Sequence, residues 1–121
     1  MVGIGVDSVD VPRFREMMER RPGLLDKLFT EGERVYAAQH NDPAPNFAVR
    51  FAAKEATMKA MGVGLGAFGF QDVEVVRADT GVPSLRLSGA AAELSAQLGV
   101  SSWRLSLTHT CAVATAFVIA E

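Results

Sequence analysis

The 121-residue chain is short of several things, and each shortage removes a class of protein. It has one cysteine, Cys111, so neither a disulfide framework nor a cysteine-ligated zinc site can be built. It has no basic excess: 12 Lys and Arg against 14 Asp and Glu leave a net charge of −2. Binding along a phosphate backbone needs such an excess, so no nucleic-acid partner is expected. It has no long hydrophobic run. The longest, "CAVATAFVIA" at 111–120, falls short of the ~20 residues that span a bilayer, so no membrane partner is expected either. The opening "MVGIGVDSVD" carries neither the basic nor the apolar region of a secretory signal. No repeat, low-complexity linker or domain boundary is visible. What remains is a globular composition, 49% hydrophobic and 21% charged, and the expectation of one soluble cytoplasmic domain over 1–121.

The elements follow from periodicity and punctuation. Val2, Ile4 and Val6 alternate with Gly3, Gly5 and Asp7, which predicts a first strand. Pro12 suits the first turn of a helix running to about Arg21, ended by Pro22 and Gly23. After a short turn, "LLDKLF", Thr30 and Glu33 have capping-box spacing and predict a helix from Glu31 that stops before "HNDPAP". A long helix from about Asn46 to Met61 is stopped by Gly62. "FQDVEVVRA" and "SLRLS" flank "DTGVP" as a hairpin, and Ser88 is a candidate cap for a helix through Leu98. Two closing strands are expected, "WRLSLTH" and "CAVATAFVIA", the second apolar on both faces and so expected to be buried, with Cys111 a buried small residue. This order is α+β, with helices packed on a mainly antiparallel sheet.

One residue breaks the pattern. On a helical wheel Phe47, Phe51, Glu55, Met58 and Gly62 share a stripe, which sets a carboxylate on the face meant for the core. Asp7 shares its strand face with Gly3 and Gly5, a face bare enough for a helix to approach closely. Two carboxylates meeting in a poorly solvated cleft repel, and a hard divalent cation removes the conflict. Magnesium takes one or two carboxylates, keeps waters, and binds substrate phosphates at its remaining positions. The competing reading is an i,i+4 ion pair between Glu55 and Lys59, with Asp7 capping the next turn.

Lys59 lies close to Glu55 on the wheel and within reach of a metal-bound phosphate, whereas Arg50 and Lys54 point elsewhere and read as a solvated face. Gly64 to Gly69 matches G-x-G-x-x-G, but a helix precedes it and a strand follows, the reverse of a dinucleotide fingerprint. A loop whose amides approach a phosphate, or a plain connector, remains. His109 ends a strand with no triad order or metal-ligand spacing and reads as structural. Arg13, Met17 and Arg20 share one face of the first helix, which suits an acidic partner with an apolar ridge or a partly packed surface helix.

Together, "GIGVDSVDVPRF", "RFAAKEATMKAMGVGLG", "FQDVEV", "GVPSLRLSG" and "WRLSLTHT" resemble, in order and spacing, the holo-acyl-carrier-protein synthases, the short phosphopantetheinyl transferases. The resemblance runs nearly end to end. It implies a homotrimer with active sites between subunits. It also implies magnesium-dependent transfer of 4'-phosphopantetheine from coenzyme A to a serine of apo acyl carrier protein, releasing adenosine 3',5'-bisphosphate. Asp7 and Glu55 fall on the family's magnesium ligands, with Lys59 beside them as a catalytic group. Arg50, Lys59, Gly62, Gly64, Gly66, Pro83, His109 and Thr110 fall in coenzyme-A-binding segments, and Arg13, Met17 and Arg20 on the carrier-docking helix. That replaces the solvated-face reading of Arg50 and the structural reading of His109, and leaves Lys54 on the surface. Ser8 stands where the family usually has an aliphatic residue, Asp10 where it has glutamate, and Thr108 where serine is common. Two rivals keep part of the pattern: another magnesium-dependent phosphotransferase would not need the Arg13–Met17–Arg20 face, and a non-catalytic carrier-binding module would not need the carboxylates. Having both favours the transferase.

Overall fold

The computed structural model describes residues 1–121. The chain runs β1 (Gly3–Asp10), α1 (Val11–Arg20), α2 (Leu24–Leu28), α3 (Glu31–Ala38), α4 (Ala44–Ala60), a 3-10 turn (Phe70–Asp72), β2 (Val73–Arg77), β3 (Pro83–Leu87), α5 (Gly89–Gln97), β4 (Trp103–His109) and β5 (Val113–Ala120). Every strand pairing is antiparallel: β5 lies between β1 and β4 in one sheet, and β2 pairs with β3 in a second. The α+β class and the antiparallel sheet match the sequence reading.

Local chemistry starts and stops the helices. The Asp10 carboxylate accepts from the Arg13 amide at 2.9 Å and caps α1, so Asp10, not Asp7, is the capping residue. Thr30 and Glu33 form the reciprocal capping box expected of α3. Gly62, at φ 71, takes the left-handed conformation that ends α4. Ser88 stands at the start of α5, but its hydroxyl makes no capping bond.

The central element is α4, which packs on nearly all sides. Ala52, Ala53, Ala56 and Ala60 meet Val75, Ala116, Val118 and Ala120. Phe47, Ala48 and Val49 join Val11, Phe14, Leu28 and Phe29 of the helical side, and Met58 and Met61 join Phe68, Val73 and Ala91. Alanine along its length is what lets neighbours close in from several directions. The approach of β1 is closest: a β-carbon on Gly3 would lie 1.8 Å from the Ala60 carbonyl oxygen, and one on Gly5 1.9 Å from that of Ala56. Only glycine fits there.

Two expectations at the C-terminal end are corrected. "CAVATAFVIA" is not buried on both faces: Ala114, Ala116, Val118 and Ala120 pack inward, but Val113 and Phe117 point out to solvent. One side of the sheet is covered by α4, and no element of the chain covers the other. Cys111 lies outside the strand, in the turn before it, and is exposed.

Candidate active site

The glycine-lined face of β1 carries Asp7 against α4, and there the two elements bring Asp7, Glu55 and Lys59 together. Lys59 Nζ donates to Asp7 Oδ1 and to the Val6 carbonyl, each at 3.0 Å. The i,i+4 pair of Glu55 with Lys59 is not what forms; the lysine reaches across to β1. Glu55 is half-buried. Burial, then the charge of Asp7, raises its carboxyl above the usual carboxylate range, and Lys59 opposes that shift. No three His, Cys, Asp or Glu side chains converge anywhere in the chain. A cation here would have two protein carboxylates, a donor set that fits magnesium, since magnesium keeps waters and takes phosphate oxygens at its other positions. Lys59 is 54% exposed, so an anion arriving from solvent can reach its ammonium.

The other predicted residues lie apart from this trio. His109 ends β4 opposite Ala114, so β5 separates it from β1. Thr110 shapes the turn to β5: its hydroxyl oxygen accepts from the amides of Ala112 and Val113 at 3.0 and 3.1 Å. Pro83 opens β3, paired with Arg77. Gly62, Gly64 and Gly66 lie beyond α4, exposed, and a β-carbon on any of them would meet nothing within 4 Å. Arg50 is buried over the Tyr36 ring, 4.3 Å from its centroid, and lines a cavity of about 430 Å³ with Tyr36, Glu74, Arg77 and Arg86. Its Nη1 donates to the Asn46 carbonyl, while its Nε is buried without a partner. Arg13, Met17 and Arg20 all face solvent on α1, and neither arginine is ion-paired.

Lys54 is the residue the sequence misplaced. Its side chain and that of Glu33 are 0% exposed and meet at 2.8 Å. Glu33 also accepts from the amides of Thr30 and Val75 at 3.0 Å each, so one carboxylate joins α3, α4 and β2. Burial lowers the proton affinity of Lys54, and Glu33 opposes the shift. Breaking such a pair from one side costs about 3–5 kcal/mol, because a buried charge is left alone. The signal was present in the alanines at 48, 52, 53, 56 and 60, which mark a helix buried all round and not along one stripe.

The unusual residues are accommodated locally. Ser8 points outward and its hydroxyl meets that of Thr115 across the strand pair at 2.9 Å, and Asp10 serves as the α1 cap.

This geometry has relatives. The model of the 4'-phosphopantetheinyl transferase superfamily matches residues 3–116. The holo-[acyl-carrier-protein] synthase of Clavibacter michiganensis subsp. michiganensis is 49% identical over 119 residues, covering 98% of this chain and 94% of that protein. Among solved structures, the Neisseria meningitidis holo-[acyl-carrier-protein] synthase superposes with a TM-score of 0.91 at 30% identity, over 100% of this chain and 98% of that one. The Helicobacter pylori enzyme, solved in complex with coenzyme A, gives 0.86 at 28% identity over 98% and 99%. The chain belongs to the 4'-phosphopantetheinyl transferase superfamily, within its holo-[acyl-carrier-protein] synthase family. It is an enzyme of that transferase class. No helix in it is long and apolar enough to cross a membrane.

Proposed function

We propose that this chain transfers 4'-phosphopantetheine from coenzyme A to a serine of apo acyl carrier protein, with magnesium held by Asp7 and Glu55, and that it works as a homotrimer in the cytoplasm. The observation that carries the reading is the meeting of Asp7 and Glu55, with Lys59 paired to Asp7, across a glycine-cleared contact of β1 and α4. In the reaction the serine oxygen attacks the diphosphate phosphorus nearer the pantetheine. The bond from that phosphorus to the oxygen shared by the two phosphates breaks, and adenosine 3',5'-bisphosphate leaves with that oxygen. Magnesium supplies charge neutralisation on the diphosphate and on the leaving phosphate. Lys59 shares that load with its exposed ammonium. The serine proton goes to Glu55 or to a water that the metal would hold. Arg13, Met17 and Arg20 meet the acidic carrier.

The trimer is supported by the uncovered side of the sheet. Ile4 and Val6 are each 50% exposed and Phe117 40%, and Val6 pairs directly with Phe117, which makes one apolar face. It is also supported by the separation of His109, Thr110, Pro83 and Arg50 from the carboxylates: a neighbouring subunit would bring such residues to the coenzyme that Asp7 and Glu55 engage.

The test is to follow coenzyme A by chromatography with enzyme, magnesium and apo carrier protein. Adenosine 3',5'-bisphosphate should appear only when all are present and in step with carrier loss. Release without carrier, or none with it, overturns the reading.

A further inference from the structure

Lys54 stands one position before Glu55, wholly buried, and no step of the transfer uses it. Its ammonium has three acceptors: Glu33 Oε1 at 2.8 Å, the Phe70 carbonyl at 3.0 Å, and the Val73 carbonyl. The two carbonyls bracket the 3-10 turn at which the glycine-rich segment rejoins the body of the protein. The departing end of that segment is fixed to the same helix, the Gly62 amide donating to the Lys59 carbonyl and the Val63 amide to that of Met58. Between these anchors Gly64, Leu65, Gly66 and Ala67 are exposed, joined by one long backbone bond of 3.4 Å. Gly64 has neither a left-handed φ nor a neighbour within 4 Å, so the chain's own packing does not demand glycine there.

We propose that Lys54 is a positioning residue: it ties the returning end of the 62–69 loop to the helix that carries Glu55 and Lys59, and so sets where the loop's amides stand when a coenzyme A phosphate is bound. This rests on the reading of that loop as part of the coenzyme A site. Phe68 is buried against Met58 and Met61, and Lys54 adds the polar tie at the returning end, so the exposed stretch 64–67 is referenced at both ends to α4, whose side chains handle the same phosphates. Glu33 neutralises Lys54, but its other bonds go to Thr30 and Val75, away from the loop. The turn itself has a second tether, since the Gln71 side chain donates from Nε2 to the Asp26 and Phe29 carbonyls. Loss of Lys54 therefore loosens the loop's returning end against α4, while Gln71 and the buried Phe68 keep the turn in place.

Two variants separate anchoring from stability. E33Q removes the buried countercharge but keeps the lysine's bonds to Phe70 and Val73; K54M/E33Q removes the anchor and leaves no lone charge. Both should melt earlier than wild type. Coenzyme A affinity by calorimetry without carrier should stay within about twofold in E33Q and weaken by about tenfold or more in K54M/E33Q, with the KM for carrier unchanged. Hydrogen exchange of the amides at 64–70, measured without coenzyme A, should quicken only in the double variant. If K54M/E33Q does not fold, K54Q takes its place, with the same direction expected. Equal affinity and equal exchange in the two variants would overturn the proposal. Failure of the wild type itself to bind coenzyme A would overturn the reading of the loop instead, and the exchange rates alone would then decide whether Lys54 anchors it.

Discussion

Replacing Gly5 by alanine tests how the fold makes the site. The new β-carbon would sit 1.9 Å from the Ala56 carbonyl oxygen, 2.8 Å from its carbonyl carbon and 2.9 Å from the Ala60 nitrogen, all backbone atoms that cannot rotate away. Restoring ordinary contact requires β1 and α4 to part by about 1.5 Å, since overlap of this depth is not tolerated in a packed interior. Parting them opens the 3.0 Å contact between Lys59 and Asp7 and moves Glu55 away from Asp7. Overpacking costs about 1–3 kcal/mol, and the small gain of an alanine over glycine in the unfolded chain does not offset it. For a chain of this length the melting temperature should fall by roughly 5–10 °C. Transfer activity should fall more steeply, by about a hundredfold, because catalytic groups displaced by an ångström lose most of their effect. Calorimetric melting beside a turnover assay measures both. G23A, whose β-carbon meets nothing within 4 Å, is the control and should change neither. A G5A variant with wild-type melting and turnover would refute the claim that this bare strand face builds the site.

Three further outcomes are expected. Burial and Asp7 raise the Glu55 carboxyl, so the folded chain holds that proton more tightly than the unfolded chain does. Stability from Glu55 is therefore present at low pH and lost as pH rises from the ordinary carboxylate range through the raised value; in EDTA, urea melts of E55Q should gain on wild type over that interval, and parallel curves would count against it. Light scattering should give a trimer, and V6D or F117D should dissociate it with loss of activity; a fully active wild-type monomer would remove the shared-site account. R13E or R20E should raise the KM for carrier about ten- to a hundredfold and leave coenzyme A affinity intact, with added salt narrowing the gap; equal damage to both would make α1 structural.

Much of this was legible in the chain, and the physical reason differs by element. Gly3, Gly5 and Asp7 reveal their shared face because a strand has period two, and a glycine pair on one face means close approach. Thr30 and Glu33 reveal the start of α3 because a capping box is local chemistry. The capping role of Glu33 concealed its larger one: its bonds to Lys54 and Val75 span 21 and 42 residues, and no local pattern reports them. Lys54 was misread because a wheel assumes one buried stripe, while α4 is enclosed by β1, β5, α1, α3 and β2. The outer side of β5 was misread because apolar residues there fill no core within one chain. Arg50 looked solvated for the same reason as Lys54, and the ring of Tyr36 that covers it lies 14 positions earlier.

The most direct test is intact mass spectrometry of apo acyl carrier protein after incubation with coenzyme A, magnesium and the wild-type, D7A or E55A chain. The wild type should add the mass of one phosphopantetheine group to a single serine, and removal of magnesium should abolish the addition. D7A and E55A should stay folded and add nothing, because a magnesium site of two carboxylates does not survive the loss of one. An unmodified carrier with the wild type, or full modification by either variant without magnesium, would contradict the account.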